Sequence, residues 1–102
     1  MVDELVRRSE TTSRFRAHAE QLRAAGVGSL YLFGSMARDD TGTDSDVDLF
    51  LDPADPRFNL FGVMAVRDEV EALLGCKADV MTRNSLHPYL RPRIEAEALQ
   101  VF

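Results

Sequence analysis

The order of elements read along the chain is helix, strand, strand, helix, strand, helix, which predicts a small α/β (α+β) domain of two or three layers. Segments 12–25 and 60–75 repeat apolar residues at three- and four-residue steps, the period of a helix with one buried face. Segments 29–33, 46–51 and 77–82 are short apolar runs bounded by turn residues, the pattern of strands. The 102 residues fit one domain spanning 1–102, large enough for a single modest core.

In the first helix, Phe15, Ala19, Leu22 and Ala25 share a face, Thr12 or Ser13 can cap the start, and Gly26 suits the position past the end. Residues 3–8 read as a further helical turn or loose chain. "SLYLF" (29–33) is a buried strand, and "GSMARDDTGTDS" (34–45) is mostly turn chemistry. "DVDLFL" (46–51) is a strand that alternates carboxylates with apolar residues. Pro53 and Pro56 punctuate a loop over 52–59. In the next helix, Leu60, Val63, Val66, Val70, Leu73 and Leu74 form the apolar stripe, and Gly75 ends it. "KADVMT" (77–82) is the third strand, and a last helix is expected over about 86–99, with Pro88 and Pro92 in its first turns.

Composition narrows the classes of function. No apolar run approaches the roughly 18 residues of a membrane span, and "MVDELVRRSE" lacks the apolar stretch of a signal peptide, so a cytoplasmic protein is expected. The net charge of −5 argues against a large duplex-binding surface, and no direct nucleic-acid contact is expected. Cys76 is the single cysteine, so it cannot form an internal disulfide and reads as a packing residue. There is no internal repeat, low-complexity tract or linker.

The window 32–52 holds six aspartates: Asp39, Asp40, Asp44, Asp46, Asp48 and Asp52. Side chains alternate along a strand, so Asp46 and Asp48 point to one side, their Cβ atoms roughly 6.5–7 Å apart, while Val47, Leu49 and Leu51 point to the other. Two carboxylates on one face raise each other's pKa unless a cation joins them. Two divalent ions about 3.5–4 Å apart suit such a pair, and Mg²⁺, which prefers hard oxygen ligands, is the natural candidate. Asp79 interrupts an otherwise apolar strand. If the second and third strands are neighbours, Asp79 joins Asp46 and Asp48 as a metal ligand and as base for an attacking hydroxyl. Asp39, Asp40, Asp44 and Asp52 read instead as solvated, turn or capping residues. A calcium loop starting at Asp44 fails, because its sixth and twelfth positions hold Leu49 and Asp55 rather than glycine and glutamate.

"FGS" leaves the first strand just before this cluster. Gly34 lets a ligand approach the backbone, Ser35 supplies a hydroxyl, and a helical turn after it would aim free N–H groups at phosphate oxygens. Arg38 can add a cation for the same phosphates. A Gly-Ser dipeptide alone is ordinary turn chemistry, but here Asp-x-Asp follows eleven residues later.

Together "LFGSMAR", "SDVDLFL" and "KADVMT" resemble the minimal nucleotidyltransferases (MNT) of the polymerase-β-like nucleotidyltransferase superfamily, over nearly the whole chain. The resemblance implies a nucleotidyltransferase fold, a small mixed sheet of three to four strands packed with helices. It implies that Gly34, Ser35 and Arg38 hold a nucleoside triphosphate, that Asp46, Asp48 and Asp79 hold two Mg²⁺ ions, and that Asp79 helps activate the acceptor hydroxyl. The reaction implied is in-line attack on the α-phosphate with release of pyrophosphate. Where the family often has glycine after the arginine, this chain has Asp39, which alters the turn or sets a negative charge near the phosphates. A stand-alone chain of this size resembles the MntA-type antitoxins of HEPN/MNT toxin–antitoxin pairs. Their activity is transfer of AMP from ATP to a tyrosine hydroxyl of the HEPN ribonuclease toxin. The implied substrate is ATP and the implied partner a HEPN-family toxin, in a hetero-oligomer or with a homodimer of this chain.

Two competing functions share these residues: a non-catalytic module that neutralises a toxin by covering it, and nucleotidyl transfer to a small molecule such as an aminoglycoside. The aspartate triad favours chemistry over a plain cover, and the lack of room for an acceptor domain counts against the small molecule. Among the other polar residues, His18 reads as surface, and His87 as surface or capping. Lys77 and Arg83 read as solvated charges, although they flank the third strand. Tyr31 and Phe33 are expected in the core or on the sheet face, and Tyr89 with Arg91, Pro92 and Arg93 is a place where a partner can bind.

Overall fold

A computed structural model describes residues 2–34 and 47–102, with side chains from residue 10 onward. Helices α1 (Val2–Ala17) and α2 (Ala19–Ala24) precede strands β1 (Val27–Phe33) and β2 (Val47–Pro53). Helix α3 (Leu60–Leu74), strand β3 (Ala78–Thr82), a 3₁₀ turn (Arg83–Ser85), helix α4 (Arg91–Glu97) and strand β4 (Leu99–Gln100) complete the chain. The sheet is mixed, in the order β3-β2-β1-β4. β1 runs antiparallel to both β2 and β4, and β2 runs parallel to β3.

One face of this sheet makes the core. Leu30 and Leu32 of β1, Val47, Leu49 and Leu51 of β2, and Ala78 of β3 are buried against Phe15, Leu22, Val66 and Val70 of the helices. The apolar stripes expected on the first two helices therefore face inward, except Leu60, which stands exposed at the first residue of its helix. The first helix differs in extent. It starts at Val2, so Thr12 and Ser13 lie inside it rather than at its cap, and it breaks at His18. There the N–H of His18 is shared between the carbonyls of Arg14 and Phe15, at 3.2 and 3.1 Å, and its exposed ring nitrogen Nδ1 donates to the Arg14 carbonyl at 3.0 Å. The side chain thus competes for a carbonyl of the helix ladder, and the helix restarts at Ala19.

β1 is longer than expected because of a bulge. Register shifts between Val27 and Ser29, so Val27 and Leu30, three residues apart, both face the core. Gly28 permits it: a Cβ there would come within 2.9 Å of the Asp52 carbonyl oxygen. Helix α3 starts at Asn59, whose side chain accepts the N–H groups of Phe61 and Gly62. It ends at Gly75, in the left-handed conformation.

The last helix is half the length expected. Leu86 is extended (ψ 139°), and the residue before a proline, here His87, is driven out of the helical region. Pro88 therefore lies in a turn, and only Pro92 falls at the start of α4. At the other end Ala98 is extended (ψ 145°), which releases Leu99 and Gln100 to pair with β1 as β4, a strand too short to announce itself in sequence.

Arg83 and Asp52 are not the solvated charges expected. The guanidinium of Arg83 binds both carboxylate oxygens of Asp52 at 2.9 Å and Glu95 at 2.8 Å. It also lies 4.8 Å from the ring centre of Tyr31 and 5.1 Å from that of Phe50. These carboxylates raise its pKa further above an already high value, so it stays charged. The side chain ties the end of β2 and the 3₁₀ turn to α4 over the aromatic part of the sheet. Among the described residues no helix is long and apolar enough to cross a membrane. Arg83→Met should cost about 1–2 kcal/mol, because Asp52 would lose its cation and Glu95 would keep only Arg91, at 3.5 Å, both partly screened by water. Urea unfolding measures this, and an unchanged midpoint would rule out the staple.

Candidate active site

The face of the sheet opposite the core carries Tyr31, Phe33, Asp48, Phe50, Asp52 and Asp79, set by the two-residue alternation of the strands. Across it, Phe33 of β1, Asp48 of β2 and Asp79 of β3 stand side by side in register. Neighbouring strands are roughly 4.8 Å apart, so the two carboxylates are direct neighbours. Asp48 is half-buried and Asp79 exposed. β2 and β3 are thus adjacent, the arrangement under which Asp79 was expected to join Asp48.

Gly34 follows Phe33 at φ 76°, a left-handed conformation. A Cβ at Gly34 would collide with Oδ2 of Asp48 and lie 3.2 Å from its Cγ. The space that glycine leaves is used by the Asp48 carboxylate, a closer reason for glycine than the open approach for a ligand read from sequence. Asp46, Ser35 and Arg38, together with Asp39, Asp40 and Asp44, lie outside the described residues. Two hard oxygen donors in register on the open face, one of them given room by Gly34, fit a magnesium ion. Among the described residues no group of three or more potential ligands is assembled.

The aromatic residues continue the same face. Tyr31 stacks on Phe50 at 4.7 Å, and Phe33 leans against Phe50 at 5.7 Å, so Phe33 stands between this cluster and Asp48. A cavity of about 490 Å³ lined by Asp52, Pro53, Phe58, Thr82 and Arg83 lies at the far end of β2. Four residues of strand, roughly 13 Å, separate Asp52 from Asp48, so this cavity is not part of the carboxylate site. Lys77 is exposed, and His87 is exposed with its Nδ1 accepting the N–H of Tyr89 at 3.2 Å, a turn role. One residue near the site escapes sequence reasoning: Glu71 of α3, whose Oε2 accepts the backbone N–H of Ala78 at 2.9 Å. Its only signal is a carboxylate one turn before the glycine that ends the helix.

A four-stranded mixed sheet with α1, α2 and α3 packed on one face is the architecture of a nucleotidyltransferase domain. The chain belongs to the nucleotidyltransferase domain family, whose model matches residues 13–101. It is an enzyme of the nucleotidyltransferase class and handles a nucleotide. It is 33% identical over 95 residues to a candidate protein adenylyltransferase of Methanocaldococcus jannaschii, covering 91% of this chain and 96% of that protein. It is 31% identical over 93 residues to the protein adenylyltransferase MntA of Thermococcus cleftensis, covering 90% and 93%. A crystal structure of a toxin–antitoxin with AMP-PNP aligns with a TM-score of 0.72 at 18% identity, covering 89% of this chain and 72% of that one. The structure of a tri-AMPylated HEPN toxin of Shewanella oneidensis with MNT antitoxin aligns at 0.65 and 17% identity, covering 90% and 71%. At these identities the solved structures establish the shared fold.

Gly34 and Gly75 both have positive φ, but a Cβ at Gly75 would meet nothing within 4 Å. Gly75→Ala should therefore cost about 1 kcal/mol, the backbone penalty alone. Gly34→Ala should cost about 1 kcal/mol more and displace the Asp48 carboxylate from its place beside Gly34. Urea unfolding of the two variants, with a crystal structure of Gly34→Ala, measures both; equal costs and an unmoved Asp48 would contradict this account.

Proposed function

We propose that residues 1–102 form one cytoplasmic, Mg²⁺-dependent protein adenylyltransferase domain. In this reading it transfers AMP from ATP to a tyrosine hydroxyl of a partner HEPN-family toxin and so acts as the antitoxin. The observation that carries the reading is the register of Asp48 with Asp79 on the open face, beside Gly34. The relatives named protein adenylyltransferases, and the fold shared with toxin–antitoxin complexes, support the acceptor class.

Asp48 and Asp79, with Asp46, would hold two magnesium ions, and Gly34, Ser35 and Arg38 would hold the triphosphate. Bound there, the ions supply charge neutralisation for the attacking and leaving oxygens. The remaining work belongs to the chain. The open sheet face leaves the α-phosphate accessible to a hydroxyl from a second protein. Asp79, the more exposed carboxylate, helps take the hydroxyl proton as the new P–O bond forms and the bond to pyrophosphate breaks. Phe33, next to Asp48 in the row, walls the site on its β1 side.

The test is transfer from α-labelled ATP to the HEPN protein that the host makes with this chain. Asp48→Asn and Asp79→Asn should each lower labelling by about 100-fold or more while the complex still elutes as one species. Full protection by either variant without labelling would favour a covering module. Labelling of small molecules with no protein acceptor would move the substrate class.

A further inference from the structure

We propose that Glu71 is a positioning residue for Asp79: its side chain clamps the outer edge of β3 one residue before that carboxylate. The inference rests on the reading of Asp79 as a metal ligand. In a parallel pair, alternate residues of one strand bond to its neighbour while those between them point away. Val47 donates its N–H to the Lys77 carbonyl at 3.2 Å and sits in register with Ala78. Lys77 and Asp79 therefore turn their backbone groups toward β2, and the Ala78 N–H points outward.

Among the described residues β3 is the last strand of the sheet on that side, and no further strand meets this N–H. Ala78 is only 3% exposed, so water does not satisfy it well either. A buried amide without a partner is costly, and Glu71 Oε2 is the acceptor, at 2.9 Å. The main chain of Glu71 acts at the same place: its carbonyl accepts the Gly75 N–H at 2.8 Å, closing the helix before the chain turns at Gly75. One residue thus ends α3 and starts β3, with a connection of three residues between them.

Asp79 needs such a clamp. Its side chain is exposed and takes no hydrogen-bond or ion-pair partner among the described residues. Its position relative to Asp48 is therefore set by its backbone, about 3.8 Å along the chain from the clamped Cα. If the Ala78 N–H were released, the first residues of β3 could fray from the edge and carry Asp79 with them.

Two variants separate the hydrogen bond from folding. Glu71→Gln keeps an oxygen acceptor at the same reach, and Glu71→Met keeps length and helix propensity but has none. The probe is Mn²⁺ titrated into the full-length chain with AMP-PNP, read by electron paramagnetic resonance, with amide exchange at Ala78 read alongside. Glu71→Met should raise the Mn²⁺ concentration for half-saturation by about tenfold and speed exchange at Ala78, with Glu71→Gln within about twofold of the native chain. Native-like Mn²⁺ binding by Glu71→Met, or loss of binding by Glu71→Gln as large as that of Glu71→Met, would overturn the clamp. Asp79→Asn serves as the reference. If it weakens Mn²⁺ binding and Glu71→Met does not, the clamp alone is wrong. If Asp79→Asn binds Mn²⁺ as the native chain does, the reading of the site fails and the clamp goes with it.

Discussion

Strand β2 is held on three sides. β1 pairs with it antiparallel, β3 pairs with it parallel, and Val47, Leu49 and Leu51 are buried beneath it. Slipping β2 by one residue would exchange those three for Asp48, Phe50 and Asp52. Burial of each aliphatic side chain contributes about 1.5–3 kcal/mol, and a carboxylate forced into the core without a partner costs several more. No arrangement of the open face competes with a penalty of that size. The core therefore dictates which side chains the site receives, and it places Asp48 between Phe33 and Asp79.

The open face is itself divided. Toward the end of β2, Phe50 is almost fully buried although it points away from the core, because Tyr31 and Phe33 pack beside it and Arg83 lies over it. At the start of β2 the carboxylates are half-buried and exposed. The cation that neutralises Asp52 is thus supplied by the chain, and it is committed there by Glu95 and two aromatic rings. Among the described residues, no arginine or lysine makes an ion pair with Asp79. Two carboxylates of the same face live under opposite regimes: Asp52 is satisfied internally and structural, and Asp79 has no such partner among the described residues.

Local pattern carried the fold where a single element decided it. The apolar stripe of α3, its glycine stop and the alternation of β2 were all readable, because period and capping act within a few residues. What escaped depended on distant partners. Arg83 meets Asp52 across 31 residues of chain and Glu95 across 12, so each looked like an isolated charge. β4 is two residues long and exists only because β1 offers it an edge. The bulge at Gly28 shifts the period of β1 by one, hiding Val27 from a two-residue count. Of the candidate site, Gly34, Asp48 and Asp79 were expected from spacing and resemblance, and the structure sets them side by side through register across two strands and a missing Cβ. Ser35, Arg38 and Asp46 fall outside the described residues, so their places rest on the sequence.

Like charges placed directly opposite each other on adjacent strands work against folding, and Asp48 and Asp79 stand in that arrangement. A domain built for stability alone would put β-branched or opposite charges at Asp48 and Asp79. Here the pair lies on the open face, Asp48 half-buried and Asp79 exposed, while the residues that set the register lie on the other face, within the core. This separation allows the repulsion to persist without loosening the strand that bears it. Local rules are obeyed in the core and relaxed on the open face, where a misfit costs the fold least.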